Sequence, residues 1–326
     1  MGKIINKKTI IILCAIIVMV LWGSLFPFVK WGFLEFGISS NNVPDVLLFA
    51  GLRFLISGAI LTIISLLLVK KKDNSVVKQL KNKNVLLAIV LVGLFSVILH
   101  YTCSYISLTK TDSSNVSLLK QSGVLVFVCL SFLFIKEDEF SITKIIAAIL
   151  GVGSIIVVNI NSLDFMLDLG TILAIASSLC TVISNIVLKK FLSNVNPCFI
   201  TGISQLIGGL ALTVIALLFG GTLTTVTVNG LFISIYIIVA TIVSYGLWYA
   251  IVQKYDLSKL FIIKMLEPLF ACLISALLPI GAIIEWNHLV ALILVGFAIL
   301  VSNIKIQYKN VNSKNEEGLI NESNVG

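Results

Sequence analysis

Four ionisable side chains interrupt apolar stretches of this sequence: Arg53, Lys120, Lys264 and Glu267. Burying such a group costs several kcal/mol unless it is paired or hydrated, so each is a functional candidate by default. Glu267 follows Lys264 at i,i+3, which on a continuous helix puts both on one face, close enough to pair. Lys120 and Arg53 then have no carboxylate partner in the interior. Unpaired buried cations either deprotonate or recruit an anion, because desolvation penalises a lone charge. Lysine can deprotonate, whereas arginine stays charged. The competing reading for Arg53, Lys120 and Lys264 is snorkelling, since each lies about two turns, or roughly 10 Å at 1.5 Å per residue, from an expected helix end. For Glu267 it is a purely structural salt bridge.

Aromatic and backbone-breaking residues surround these four. Tyr101 and Tyr105 are one helical turn apart, as are Tyr245 and Tyr249, with Trp248 beside the second pair and Trp22 near the start of the chain. They read either as cavity walls or as interfacial anchors near helix ends. Pro268 removes a backbone donor and frees the carbonyl of Lys264. That carbonyl could serve a ligand; alternatively, the kink only shapes the bundle. Gly23, Gly51, Gly58, Gly151, Gly153, Gly208, Gly209 and Gly246 are expected to let helices approach closely. Asp112 and Asp256 are expected to cap the helices that follow them.

The elements that must position these residues are membrane helices. Hydrophobic residues make up 58% of the chain and charged ones 12%, against about 25% charged in soluble proteins. The mean hydropathy is +1.10. Apolar runs predict ten spans, over 10–29, 46–69, 85–107, 115–135, 142–160, 169–188, 199–219, 230–252, 259–280 and 288–307. The first is too long for a signal-peptide core and has no clear cleavage site after it, so it reads as retained. The connection 31–45 has room for a short interfacial helix. The six cysteines lack paired spacing and read as small core residues, and the sequence has no HExxH, CxxC or Walker-type loop.

With the N-terminus cytoplasmic and the spans alternating, the inner segments hold eighteen lysines, while the outer ones hold Lys30 and Lys110 against six acids. This bias predicts a multi-pass cell-membrane protein with both termini cytoplasmic. The +8 charge is thus a matter of membrane orientation and implies no nucleic-acid partner.

The chain also repeats itself. Tyr101 to Lys120 aligns without a gap on Tyr245 to Lys264, matching Tyr101, Tyr105, Lys110, Asp112, Ser114 and Lys120 with Tyr245, Tyr249, Lys254, Asp256, Ser258 and Lys264; Asn159 and Asn303 share the offset. Five spans per half is an odd number, so the second copy enters the membrane from the opposite side. The fold class expected is therefore an all-α membrane protein, ten transmembrane helices as two inverted five-helix repeats, with a site near the midplane between them. The divisions are a cytoplasmic tail over 1–9, repeats over 10–160 and 161–307, and a disordered cytoplasmic tail over 308–326.

Four places in the chain resemble the EamA-type permeases of the drug/metabolite transporter superfamily: Trp22-Gly23-Ser24 with Phe28-Val29-Lys30, Phe49 to Phe54 around Arg53, Lys136-Glu137 before Ser141, and Glu267-Pro268-Leu269-Phe270 with Glu285 beyond. The resemblance implies a central cavity lined mainly by the first, third, fourth, sixth, eighth and ninth spans. It also implies small-metabolite transport, often export, without ATP. One departure is Gly123-Val124, which stands where the second copy has Glu267-Pro268.

The resulting expectation is a secondary carrier working by alternating access on a carboxylate-bearing metabolite, an amino acid in the first instance. Lys120, Lys264, Glu267, Arg53, Trp22, Tyr101, Tyr105, Tyr245, Trp248 and Tyr249 would bind the substrate. The carboxylate would meet Lys120, while Lys264 with Glu267 would hold an amino group or change protonation, coupling transport to protons. The expected partners are the small-molecule substrate and the bilayer, with no cofactor, as a monomer or homodimer. A flippase for lipids or lipid-linked sugars is the alternative. A membrane-embedded enzyme is more remote, because the interior offers one carboxylate and no convincing His or Cys set.

Overall fold

The computed structural model describes residues 7–39, 42–68, 82–110, 119–135, 141–158, 169–278 and 286–302, and the regular structure among them is helical throughout. In chain order the helices are α1 (Lys7–Glu35), α2 (Val43–Leu68), α3 (Lys83–Gly93), α4 (His100–Lys110), α5 (Ser122–Phe134), α6 (Ile142–Val158), α7 (Leu169–Phe191), α8 (Pro197–Leu218), α9 (Val228–Val252), α10 (Leu257–Lys264), α11 (Glu267–Leu277) and α12 (Trp286–Ser302). A π-helical turn over Leu94–Leu99 joins α3 to α4. Two residues, Met265 and Leu266, separate α10 from α11.

Seven helical stretches among the described residues are long and apolar enough to cross a membrane, counting Lys83–Ser107 and Leu257–Leu277 as continuous; Ile142–Ser154 is a shorter apolar helix. Large apolar side chains such as Leu67, Leu133, Leu218, Phe232 and Leu300 are exposed along the helices, as lipid-facing residues must be when the surrounding solvent is hydrocarbon.

The halves interlock. Helix α2 packs along α8, α6 along α12, α1 along α9, and α4 along α7. The α2–α8 seam is made by glycines. A Cβ at Gly58 would strike the Leu206 backbone nitrogen, and one at Gly202 would lie 2.7 Å from the Thr62 nitrogen. These two contacts are reciprocal: Gly202 is the repeat counterpart of Gly58, and Leu206 that of Thr62. Gly51 and Gly209 fit the same seam, against Thr213 and Leu55, and Gly23 and Gly208 pack against α11 and Val97. Gly151 faces the Met265 sulfur. Gly153 and Gly246 have nothing within 4 Å of a built Cβ, so the expectation of close approach fails at those two, which face open space rather than a neighbouring helix.

Polar contacts hold the helix ends in two groups. At one end Thr227 donates to Glu35 at 2.5 Å, and the Thr222 amide to Asp45 at 2.7 Å. At the other, Lys144 pairs with Asp256 at 3.2 Å, Lys189 donates to the Tyr255 carbonyl at 2.7 Å, and Gln253 donates to the Leu192 carbonyl at 2.7 Å. The α1–α2 and α8–α9 connections thus share one end, and the α5–α6, α7–α8 and α9–α10 connections the other. Asp256 caps α10 as expected, accepting from the Lys259 amide. The interfacial helix allowed for in 31–45 does not form among the described residues: α1 runs on to Glu35 and α2 begins at Val43, leaving a short link with Gly37 at φ +64°. Asp112, Lys136, Glu137, Glu285, Asn159, Asn303 and the tails over 1–6 and 308–326 lie outside the described residues.

Candidate functional site

The ten residues singled out from sequence come together on one cavity, with about 790 Å³ of empty space. Trp22, Arg53, Tyr101, Tyr105, Lys120, Tyr245, Trp248, Tyr249, Lys264 and Glu267 all line it. Its walls come from the first, third, fourth, sixth, eighth and ninth spans, with Arg53 added from α2. Of the two readings open for the tyrosines and tryptophans, the cavity wall is the one found.

The centre is the Tyr101–Tyr245 contact, with hydroxyls 2.9 Å apart. Tyr101 and Tyr105 stack edge to face at 5.5 Å, as Tyr245 and Tyr249 do at 6.0 Å. Trp22 fills the angle between Tyr245 and Trp248, at 5.3 and 5.1 Å between ring centroids. The Trp248 indole donates to Asn185 at 2.8 Å, and the Tyr249 hydroxyl to Ser96 at 3.1 Å. Such rings give a rigid wall with few torsions to order.

The charges sit around this aromatic layer. Arg53 is held by its Nε, which donates to Thr241 at 2.7 Å, and its guanidinium lies 4.8 Å from the Phe54 ring centroid and 5.8 Å from that of Tyr101. Lys120 Nζ lies 5.0 Å over Phe26. Lys264 Nζ lies 5.5 Å over Trp22 and 5.7 Å over Phe261. Aromatic faces attract cations without neutralising them.

Lys264 and Glu267 both line the cavity but form no salt bridge with each other. On a continuous helix the i,i+3 spacing would let them pair, but the helix breaks between them. Met265 and Leu266 bond back three residues, to Ile262 and Ile263, and α11 starts afresh at Glu267 with Pro268 behind it. Lys264 ends α10 and Glu267 opens α11, so the two do not sit on one continuous helix, and their spacing alone does not bring them to ion-pair distance. Pro268 itself behaves as read, since it offers no N–H to the Lys264 carbonyl. Pro27 does the same inside α1, withholding a donor from the Gly23 carbonyl at the cavity's level; the sequence reading passed over it.

The Gly123 departure has a physical cause. The Gly123 amide donates to the Ser178 hydroxyl at 2.9 Å, Ser178 donates to the Lys120 carbonyl at 2.5 Å, and a Cβ on residue 123 would collide with Ser178. In this half the fourth span is the member that gives way to its neighbour. At the contact between α1 and α11, it is Gly23 of α1 that gives way, where a Cβ would lie 2.6 Å from that of Phe270 and 2.9 Å from the Glu267 carbonyl.

Two polar stripes on the cavity wall were missed from sequence. Ser96, His100 and Ser104 recur every four residues on the third span; Thr181, Ser184 and Asn185 fall at i, i+3 and i+4 on α7. Periodicity of small polar residues was the available signal. His100 Nδ1 lies 2.9 Å from the Ser177 carbonyl and 3.0 Å from the Thr181 hydroxyl. The carbonyl can only accept, so Nδ1 carries the hydrogen, and Nε2 of the neutral ring is left as an acceptor.

The EamA-like transporter family model matches the chain twice, over residues 9–160 and 168–304. The fold is similar to that of a crystal structure of a protein with 15% sequence identity, covering 90% of this chain and 96% of the other at a TM-score of 0.73. Among curated proteins none matches. The two matches take in nearly the whole chain, one in each half, and the chain belongs to the EamA-like transporter family, multi-pass membrane proteins that carry small molecules.

Proposed function

We propose that the protein is a secondary carrier that exports a small carboxylate-bearing metabolite, an amino acid in the first instance, across the cell membrane. It crosses the membrane ten times as two inverted five-helix repeats, with both termini cytoplasmic, and works by alternating access. The observation that carries this reading is the cavity wall, where Arg53, Lys120 and Lys264 stand against the carboxylate of Glu267 around a layer of tyrosine and tryptophan. Such a wall favours an anionic group attached to a modest apolar body. The substrate carboxylate meets Lys120, which has a ring beside it and no acid paired to it among the described residues. Glu267, which forms no direct ion pair with Lys264, is available to a substrate ammonium or a proton, which would link transport to pH.

Support for alternating access comes from how the two halves meet. Counterparts contact each other reciprocally at Gly58–Leu206 and Gly202–Thr62, as two units related by a twofold axis do. At the end bearing Lys144 and Asp256 the bundle is closed: Phe127 and Phe261 pack edge on at 5.0 Å, Ser131 and Ser258 hydrogen-bond at 3.1 Å, and Leu257 and Leu260 are fully buried. An inverted repeat supplies the complementary closure by exchanging the roles of its halves.

The test is counterflow in proteoliposomes without nucleotide, with radiolabelled amino acids and other carboxylates. Saturable exchange is expected. Lipid scrambling in place of solute exchange, or the absence of saturation, would overturn the reading.

A further inference from the structure

The cavity wall contains two buried donors with no acceptor: Arg53 Nη2 and Trp22 Nε1. Both flank the Tyr101–Tyr245 pair. The guanidinium carbon lies 5.8 Å from the Tyr101 ring centroid, and the Trp22 ring 5.3 Å from the Tyr245 ring. One of the two tyrosine hydrogens is spent between the hydroxyls, and the other remains to donate outward. Leaving buried donors unsatisfied is costly, and native proteins keep such cases few. Other unsatisfied polar atoms occur, at Thr62, Gln121, Ser122 and Gln205 among others, but these two are the ones on the cavity wall, and what they lack is an acceptor.

Trp22 reaches toward the lysines, its ring 5.5 Å from Lys264 Nζ, but Arg53 does not share their wall. Arg53 stands on α2, which packs against α4, α8 and α9, while Lys120 and Lys264 belong to the wall where α5 meets α10. With its lysines charged, the cavity holds three cations and one carboxylate, so one acidic group on the substrate leaves it still positive. We propose that the cavity has two anion subsites and that the transported compound carries two acidic groups. It would be a dicarboxylate or an amino dicarboxylate, one group held by Lys120 with Lys264 nearby, the other by Arg53, the Trp22 N–H and the tyrosine hydroxyls. Arg53 Nη2 and Trp22 Nε1 are shielded from water, so side chains of the wall must shift for the second group to reach them. This inference rests on the carrier reading above.

The test compares compounds of one shape that differ in one acidic group: glutamate with glutamine, and succinate with succinamate. Exchange in proteoliposomes and thermal stabilisation of the detergent-solubilised protein are both read. For the wild type the diacid is expected to exceed the monoamide about tenfold, the worth of one charge-assisted hydrogen bond. Arg53→Gln should bring that ratio close to one, whereas Lys120→Met should lower both members of each pair. Should Arg53→Gln fail to fold, Trp22→Phe and Tyr101→Phe must each lower the ratio. A wild type that does not prefer either diacid, or a ratio that survives in every folded variant, would overturn the two-subsite proposal and leave the carrier standing. Exchange of none of the four compounds, with no stabilisation by any, would overturn the proposal; failure to exchange any other carboxylate would overturn the carrier reading as well.

Discussion

The Tyr101 and Tyr245 hydroxyls meet at 2.9 Å although 144 residues separate them. That separation is the repeat offset itself, so two equivalent residues touch where the halves meet, in the middle of the cavity. Phenylalanine at either position removes the bond, and phenylalanine at both removes nothing further. We expect the two single changes to be non-additive, with a coupling of about 1 kcal/mol in a double-mutant cycle read by thermal unfolding in detergent. Additive effects would separate the two tyrosines energetically.

The α2–α8 seam makes a sharper packing prediction. Gly58→Ala and Gly202→Ala each drive a methyl into the opposing backbone, and overpacking of this kind costs about 1–3 kcal/mol. Gly153→Ala and Gly246→Ala meet nothing within 4 Å and should leave the melting temperature unchanged or raise it slightly, because alanine favours the helix. Equal effects at all four positions would refute the seam.

At the closed end, Lys144 and Asp256 pair at 3.2 Å with side chains 7% and 25% exposed. Lys144→Asp or Asp256→Lys alone places like charges together and should hold this end open, cutting exchange several-fold. The double swap should restore most of it. A double swap no better than the singles would mean that the residues act independently.

Much of this was legible in the sequence because the scarce residues were the informative ones. In so apolar a chain, Tyr101, Tyr105, Lys120, Tyr245, Tyr249, Lys264 and Glu267 stand out, and repetition tied most of them together. Ser96, His100, Ser104, Thr181, Ser184 and Asn185 did not stand out, because small polar residues are common in membrane helices, where they bond to backbone carbonyls. The Lys264–Glu267 relationship depended on a helix break whose position, but not geometry, Pro268 announced. The π-helical turn over Leu94–Leu99 left no mark in the sequence.

Orientation can be read at two exposed sites. Thr224 lies in the α8–α9 connection, at the end holding Glu35 and Asp45; Ser193 lies in the α7–α8 connection, at the end holding Lys144. In a cysteine-free background, Thr224→Cys should label from outside intact cells and Ser193→Cys only after permeabilisation. The reverse pattern would invert the assigned topology.

The charged cavity residues are expected to handle the substrate. The direct measurement is exchange of carboxylated substrates in proteoliposomes by wild type, Lys120→Met and Glu267→Gln, across a pH series, with folding of each variant confirmed. We expect Lys120→Met to lower exchange at least about tenfold, the loss of a charge-assisted contact, and Glu267→Gln to flatten the pH dependence. Wild-type rates in both variants, with unchanged pH dependence, would contradict the account.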